Sequence, residues 1–214
     1  MTALLARFAG TAIVFFARAI TAVRALWQGI EPSAGQRVYF ANHTSHGDFI
    51  LVWAVLPPRL RQATRPVAGA DYWLASAPRR FLGRDVFKAV LIARKPSRNT
   101  ENPIDQMSAA LDAGSSLIVF PEGTRNTTDE PLLPFKPGLY HLAKARPQID
   151  LVPVWIENLN RVMPKGEIVP IPLICTVTFG APIHLRPEED KAGFLLRAEA
   201  ALLAIAPQAE ESAP

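Results

Sequence analysis

Six short β-prone apolar runs, alternating with stretches that have the length and composition of helices, constrain this chain more than any other feature. The runs are residues 38–41, 66–70, 89–94, 117–120, 151–156 and 173–179, and the helical stretches are 46–56, 71–82, 103–113, 138–145 and 187–204. Such alternation argues for an α/β fold, a single domain whose largely parallel mixed sheet is flanked by helices. At 214 residues the chain can bury one good core, and nothing in it marks a second domain, an internal repeat or a low-complexity segment. Ligands of such sheets gather beyond the carboxyl ends of the strands. The chemistry is therefore sought where the runs end.

The first run ends in Asn42-His43-Thr44-Ser45-His46-Gly47-Asp48, and an apolar stretch follows as far as Pro57-Pro58. Ser45 and Asp48 form an S-x-x-D capping box, which predicts a helix starting at His46 with Ser45 as its N-cap and Asp48 in its first turn. His43 lies just before that cap. A carboxylate projecting from the first turn can accept a proton from one ring nitrogen and leave the other free as a general base. Taken alone, Asp48 reads equally well as a plain helix cap and His43 as an ordinary loop histidine.

Residues 116–120 read as a buried strand running into Pro121-Glu122-Gly123-Thr124-Arg125. Glycine at the end of a parallel strand lets a substrate approach backbone N–H groups, and arginine offers a planar fork suited to phosphate. Together the two segments resemble the glycerophospholipid acyltransferase family, the 1-acylglycerol-3-phosphate acyltransferases among them. Residues 42–48 match its NHxSxxD block at every fixed position, and Phe120-Pro121-Glu122-Gly123-Thr124-Arg125 matches FPEGTR unchanged. Weaker likenesses carry the resemblance over roughly residues 35 to 185: Leu151-Val152-Pro153-Val154-Trp155-Ile156 for the Val-Pro strand, and Phe135-Lys136-Pro137-Gly138 for Phe-Lys-x-Gly. One block departs, because Ala93 precedes Arg94 where the family often has an acid.

The resemblance implies direct acyl transfer without an acyl-enzyme. His43, oriented by Asp48, removes the proton from a glycerol hydroxyl as it attacks the thioester, and Glu122, Gly123, Thr124 and Arg125 hold the glycerol-phosphate end of the acceptor. Arg94 and Lys136 are further candidates for the phosphate, although they and Lys95 read equally as solvated surface charge. Backbone N–H groups near a helix start or the Gly123 turn would hold the oxyanion. The resemblance implies no cofactor, only an acyl thioester as co-substrate, on coenzyme A or acyl carrier protein. The expected acceptor is 1-acyl-sn-glycerol-3-phosphate, with another lysophospholipid or an amino-acid lipid as the alternative. A thioesterase would use the same pair on water, and a lipid-binding module would not use it at all.

Charge and cysteine narrow the remaining classes. The net charge of +4 and pI near 9.5 favour anionic partners such as phospholipid head groups, coenzyme A or an acidic carrier protein. Nucleic acid is not expected, because no basic run, zinc spacing or recognition helix accompanies that charge. Cys175 is the only cysteine and sits in an apolar strand pattern, so it reads as core and excludes an intrachain disulfide. No metal is expected: Thr44 and Phe49 stand where an HxHxDH metal site needs histidines. His184 and Glu189 repeat the His43–Asp48 offset, but Pro187 intervenes, and His184 reads as structural or surface.

Residues 1–30 contain no proline and no acid, and arginines interrupt them, leaving residues 8–17 too short to span a bilayer. On a helix, Leu4, Leu5, Phe8, Phe15, Phe16, Ile20, Val23, Leu26, Trp27 and Ile30 cover one half. Arg7, Thr11, Arg18, Thr21, Arg24 and Gln28 cover the other, with Val14 the exception. An amphipathic helix lying in the membrane interface is expected, on the cytoplasmic face where the implied donors are, with packing on the domain's own core as the alternative. A signal peptide cleaved near Ala17-Arg18-Ala19 is set aside because the pattern continues past it. The expected organisation is an interface helix at 1–30, an acyltransferase domain at 31–206 and a disordered tail at 207–214.

Overall fold

The computed structural model describes residues 2–93, 101–157 and 175–207. Seven strands form one sheet: β1 (Arg24–Trp27), β2 (Arg37–Ala41), β3 (Thr64–Gly69), β4 (Val90–Ile92), β5 (Ser116–Val119), β6 (Asp150–Glu157) and β7 (Thr176–Phe179). Their spatial order is β1-β7-β6-β2-β5-β3-β4, and every neighbouring pair is parallel except β6 with β7. The largely parallel mixed sheet expected from the sequence is therefore the observed architecture. β2 lies at its centre, and all five of its residues are buried, as a strand covered on both faces requires.

Alternation along β2 divides the core. Tyr39 and Ala41 join Ile118, Val152, Val154 and Phe179 on one face, covered by α1 (Thr2–Thr21) and α2 (Asp48–Val55). Val38 and Phe40 join Leu117, Val119 and Leu151 on the other, covered by α6 (Pro103–Asp112), α7 (Gly138–Ala145) and a C-terminal helix, α8 (Lys191–Leu203). Both catalytic-candidate segments leave strands at the same edge of this sandwich.

The N-terminal helix corrects the expected span of 1–30. It stops at Thr21, where Ala22 turns the chain with φ 42°, and Arg24–Trp27 then runs as an edge strand beside β7. Trp27 stacks on Phe179 at 4.0 Å, so it belongs to the core and not to a membrane face. Nothing between residues 20 and 24 punctuates the apolar pattern, which is why helix and strand merge in the sequence.

Within α1 the helix has three sectors rather than two. A stripe of small residues, Ala6, Gly10, Val14 and Thr21, is buried against the domain, and a Cβ on Gly10 would sit 3.4 Å from the Trp53 ring. Val14, the exception to the amphipathic pattern, is thus the core contact. Leu4, Phe8, Phe15 and Phe16 face outward, each at least 66% exposed. Arg7 is exposed, and Arg18 donates to Ala54 O at 2.9 Å.

Other boundaries moved for identifiable reasons. The helix expected from His46 begins at Asp48 instead. The helix expected over 71–82 is broken into α4 (Ala70–Trp73), α5 (Ala77–Phe81) and a π-turn at Leu82–Val86. Pro78 opens α5 because its missing N–H cannot continue a helix from above. A short α3 (Pro58–Ala63), started by the Pro57-Pro58 pair that had read as a stop, was not expected. The last helix starts at Lys191 rather than Pro187, capped by Asp190 accepting from Gly193 N at 2.7 Å. Arg94, Lys95, most of the expected tail and residues 173 and 174 lie outside the described residues.

Candidate active site

The chain leaves β2 through Asn42, whose buried side chain accepts from Ile156 N at 2.8 Å and donates to Ile156 O at 3.0 Å. This double bridge holds the strand end to β6 where the ladder between them stops. His43 follows directly. Its Nδ1 lies 2.8 Å from Asp48 Oδ2, and the same oxygen accepts from Thr44 N at 2.7 Å and Ser45 N at 2.8 Å. Asp48 is completely buried, so three donors converge on one carboxylate oxygen away from water. With a carboxylate opposite it, Nδ1 carries the proton, and Nε2 keeps its lone pair.

The capping box is half realised. Asp48 takes the Ser45 N–H as the box requires, but the Ser45 hydroxyl accepts weakly from Gly47 N at 3.3 Å and makes no cap to the helix, whose N-cap is Gly47. Asp48 thus serves the loop and the His43 ring together. The ring also stacks on Phe120 with centroids 4.2 Å apart, which leaves it little freedom to rotate.

Glu122 lies behind this loop, not in front of it. Its Oε1 accepts from His43 N at 2.7 Å and its Oε2 from Leu133 N at 2.9 Å, and the residue is 1% exposed. Burial pushes its carboxyl above the usual glutamate range, against the opposing pull of those two N–H groups. The assignment of Glu122 to the acceptor is therefore corrected: both oxygens are spent on backbone, and the side chain does not line the groove. Thr124 is exposed and does not line it either.

Gly123, Arg125 and Lys136 do line the groove together with His43. Gly123 has φ +69°, and a Cβ there would meet Lys136 Cγ at 3.1 Å, so the glycine admits both the turn and the lysine stem. Lys136 N donates to Pro121 O at 2.7 Å, while Phe135 N donates to Glu199 Oε1 of α8 at 2.8 Å. Asn126 N donates to His43 O at 2.6 Å and closes the link between the two motif segments. Asn126 and Glu199 were not singled out in the sequence. The Asn126 side chain turns its own loop, accepting from Thr128 N at 2.9 Å and donating to Glu130 O at 2.6 Å, and its link to His43 is made by backbone that no residue type announces; the partner of Glu199 lies on a distant segment. The His46 ring lies parallel to Tyr72 at 5.8 Å. Among the described residues no three His, Cys, Asp or Glu side chains converge as metal ligands would.

The groove itself is about 2000 Å³, mostly apolar, and runs from α1 past His43 to α6 and α7. That exceeds the roughly 300–1,000 Å³ of a site for one small molecule. Cys175 is buried beneath the pair, where burial pushes its thiol up to about 11, so it is a core residue and not a nucleophile.

Fold and site together define an α/β domain with a hydrogen-bonded histidine–aspartate pair at the carboxyl ends of its strands. The model of the Acyltransferase family matches residues 26–157, which include His43, Asp48, Arg125 and Lys136, and the chain belongs to that family. It is 29% identical over 170 residues to the 1-acyl-sn-glycerol-3-phosphate acyltransferase of Cocos nucifera, covering 77% of this chain and 51% of that protein. It is 31% identical over 143 residues to the 1-acyl-sn-glycerol-3-phosphate acyltransferase alpha of Homo sapiens, covering 64% of this chain and 46% of that one. The chain thus spans about half the length of these relatives. The crystal structure of the 1-acyl-sn-glycerophosphate acyltransferase PlsC from Thermotoga maritima shares its fold, with a TM-score of 0.67 over 93% of this chain and 79% of that one at 20% identity.

Proposed function

We propose that the protein moves a fatty acyl group from an acyl thioester to the free hydroxyl of a glycerol-phosphate lipid, converting 1-acyl-sn-glycerol-3-phosphate to phosphatidic acid. The observation that carries this is the His43 Nδ1–Asp48 Oδ2 bond of 2.8 Å at the middle of an apolar groove. His43 Nε2 takes the hydroxyl proton as that oxygen attacks the thioester carbonyl. The tetrahedral adduct then expels the sulfur, which leaves as a thiol with the proton returned by the imidazolium. Asp48 stabilises that imidazolium. Arg125 and Lys136 bind the acceptor phosphate. The names of the coconut and human relatives support the same acceptor.

The deciding experiment is to incubate the protein with acyl-CoA or acyl carrier protein thioester, with and without lysophosphatidate. Acceptor-dependent phosphatidate supports the reading; thiol release without acceptor makes the protein a thioesterase, and neither leaves a lipid-binding module. Arg125→Ala should raise the KM for lysophosphatidate about tenfold or more, while the donor KM changes little. Arg125→Lys should rescue in part, keeping the charge but not the fork. A change confined to the donor would move Arg125 to the other substrate.

The acceptor lives in a bilayer, and we propose that α1 brings the enzyme to it on the cytoplasmic face. The helix has the length and composition to cross a membrane, with mean hydropathy 1.7 over its apolar window, but its buried stripe argues for lying along the domain with Leu4, Phe8, Phe15 and Phe16 in the head-group boundary. Replacing Phe15 and Phe16 with Ser should release the protein from neutral and anionic vesicles alike, with its thermal midpoint unchanged, since both rings are exposed. Arg7→Gln should weaken only the low-salt binding to anionic vesicles. Sedimentation that finds both variants still bound to vesicles would remove the membrane role of α1.

A further inference from the structure

A two-substrate acyl transfer brings two phosphate-bearing molecules to one histidine, and each needs its own cation. Three lysine or arginine side chains line the groove among the described residues: Arg125 and Lys136 at the Gly123 turn, and Arg79 on the wall formed by the broken helices after β3. Arg79 is held by stacking. Its guanidinium carbon lies 4.3 Å from the Tyr72 ring, and Tyr72 in turn lies parallel to His46 at 5.8 Å. An arginine held over an aromatic ring keeps its fork presented at low entropic cost, which suits it to bind a phosphate.

Arg79 and His43 line the same groove. Steps of 4.3 Å and 5.8 Å separate the guanidinium from the His46 ring, and His46 follows His43 by three residues. A thioester donor carries its first phosphate at the far end of a pantetheine arm, so the cation that binds it belongs in the groove of the histidine but away from the thioester. We propose that Arg79, held on the Tyr72–His46 stack, binds the phosphate ester at the end of the donor's pantetheine arm while His43 acts at the thioester end. The inference rests on the acyl-transfer reading and assigns the donor to the wall opposite in role to the Gly123 turn. The phosphate is the same chemistry in coenzyme A and in the prosthetic group of a carrier protein.

The test compares one acyl chain on three donors: coenzyme A, acyl carrier protein, and pantetheine, which has no phosphate. Arg79→Ala should raise the KM of a phosphate-bearing donor about tenfold, leaving kcat, the KM for lysophosphatidate and the KM for acyl-pantetheine unchanged. A shift with coenzyme A or with carrier protein alone identifies the natural source. Tyr72→Leu should reproduce part of the shift and Tyr72→Phe none, because only the first removes the platform. A shift as large with acyl-pantetheine, a shift on the acceptor, or no shift at all would overturn the assignment. Calorimetry with phosphopantetheine against pantetheine, without acceptor, decides the Arg79 site on its own: wild-type protein should favour the phosphate and Arg79→Ala should not. Wild-type transfer separately decides the acyl-transfer reading.

Discussion

Alanine at His43 should lower acyl transfer by about 10²- to 10⁴-fold at saturating donor and acceptor, because it removes the imidazole that, in the proposed mechanism, takes the hydroxyl proton at the moment of attack. The fold should survive. The ring touches Phe120 and Asp48 Oδ2, and without it that oxygen still accepts from Thr44 N and Ser45 N. Asp48→Asn separates two roles of the carboxylate. All three donors go to Oδ2, so an asparagine oxygen in that place keeps the loop bonds and the His43 tautomer while losing the charge. The amide nitrogen then occupies the place of Oδ1, which is buried without a partner, at a cost of about 1–3 kcal/mol. A large fall in kcat for Asp48→Asn with modest destabilisation therefore measures imidazolium stabilisation. Near-normal turnover by His43→Ala under saturating substrates would sink the mechanism.

What could be read in the sequence was local. α7 was expected at residues 138–145 and is found there, because an apolar face is bounded by Pro137 on one side and Pro147 on the other. The His43–Asp48 pair was one of two equal readings of its own segment, and only the resemblance carried jointly with residues 120–125 favoured it over a plain cap and a loop histidine. The edge strand Arg24–Trp27 was not legible, because β1 is defined by its partner β7 about 150 residues away and its own apolar pattern suits a helix as well. Pro78 breaks the stretch 71–82, although the residues around it keep a helical period. The position of Glu122 could not be read from the motif at all. A carboxylate in a turn between a strand and an arginine reads as a substrate contact, and only the fold brings His43 N and Leu133 N to its two oxygens.

That geometry sets an expected result opposite to the one the motif suggests. Glu122→Gln retains one accepting oxygen and puts an NH₂ group against the other backbone donor, so either His43 N or Leu133 N loses its bond in a buried setting. The loop carrying His43 should shift, and a displacement of about 1 Å can cost on the order of 10²-fold in rate. The loss should fall on kcat, with the KM for lysophosphatidate almost unchanged, whereas Arg125→Ala should do the reverse. Glu122→Ala orphans both N–H groups and should destabilise the protein by about 2–6 kcal/mol as well. Measuring kcat, both KM values and the thermal midpoint for the three variants separates the roles. A rise in acceptor KM at unaltered kcat in Glu122→Gln would mean that the carboxylate leaves its backbone partners to touch the acceptor, and its role as a brace between His43 N and Leu133 N would have to be abandoned.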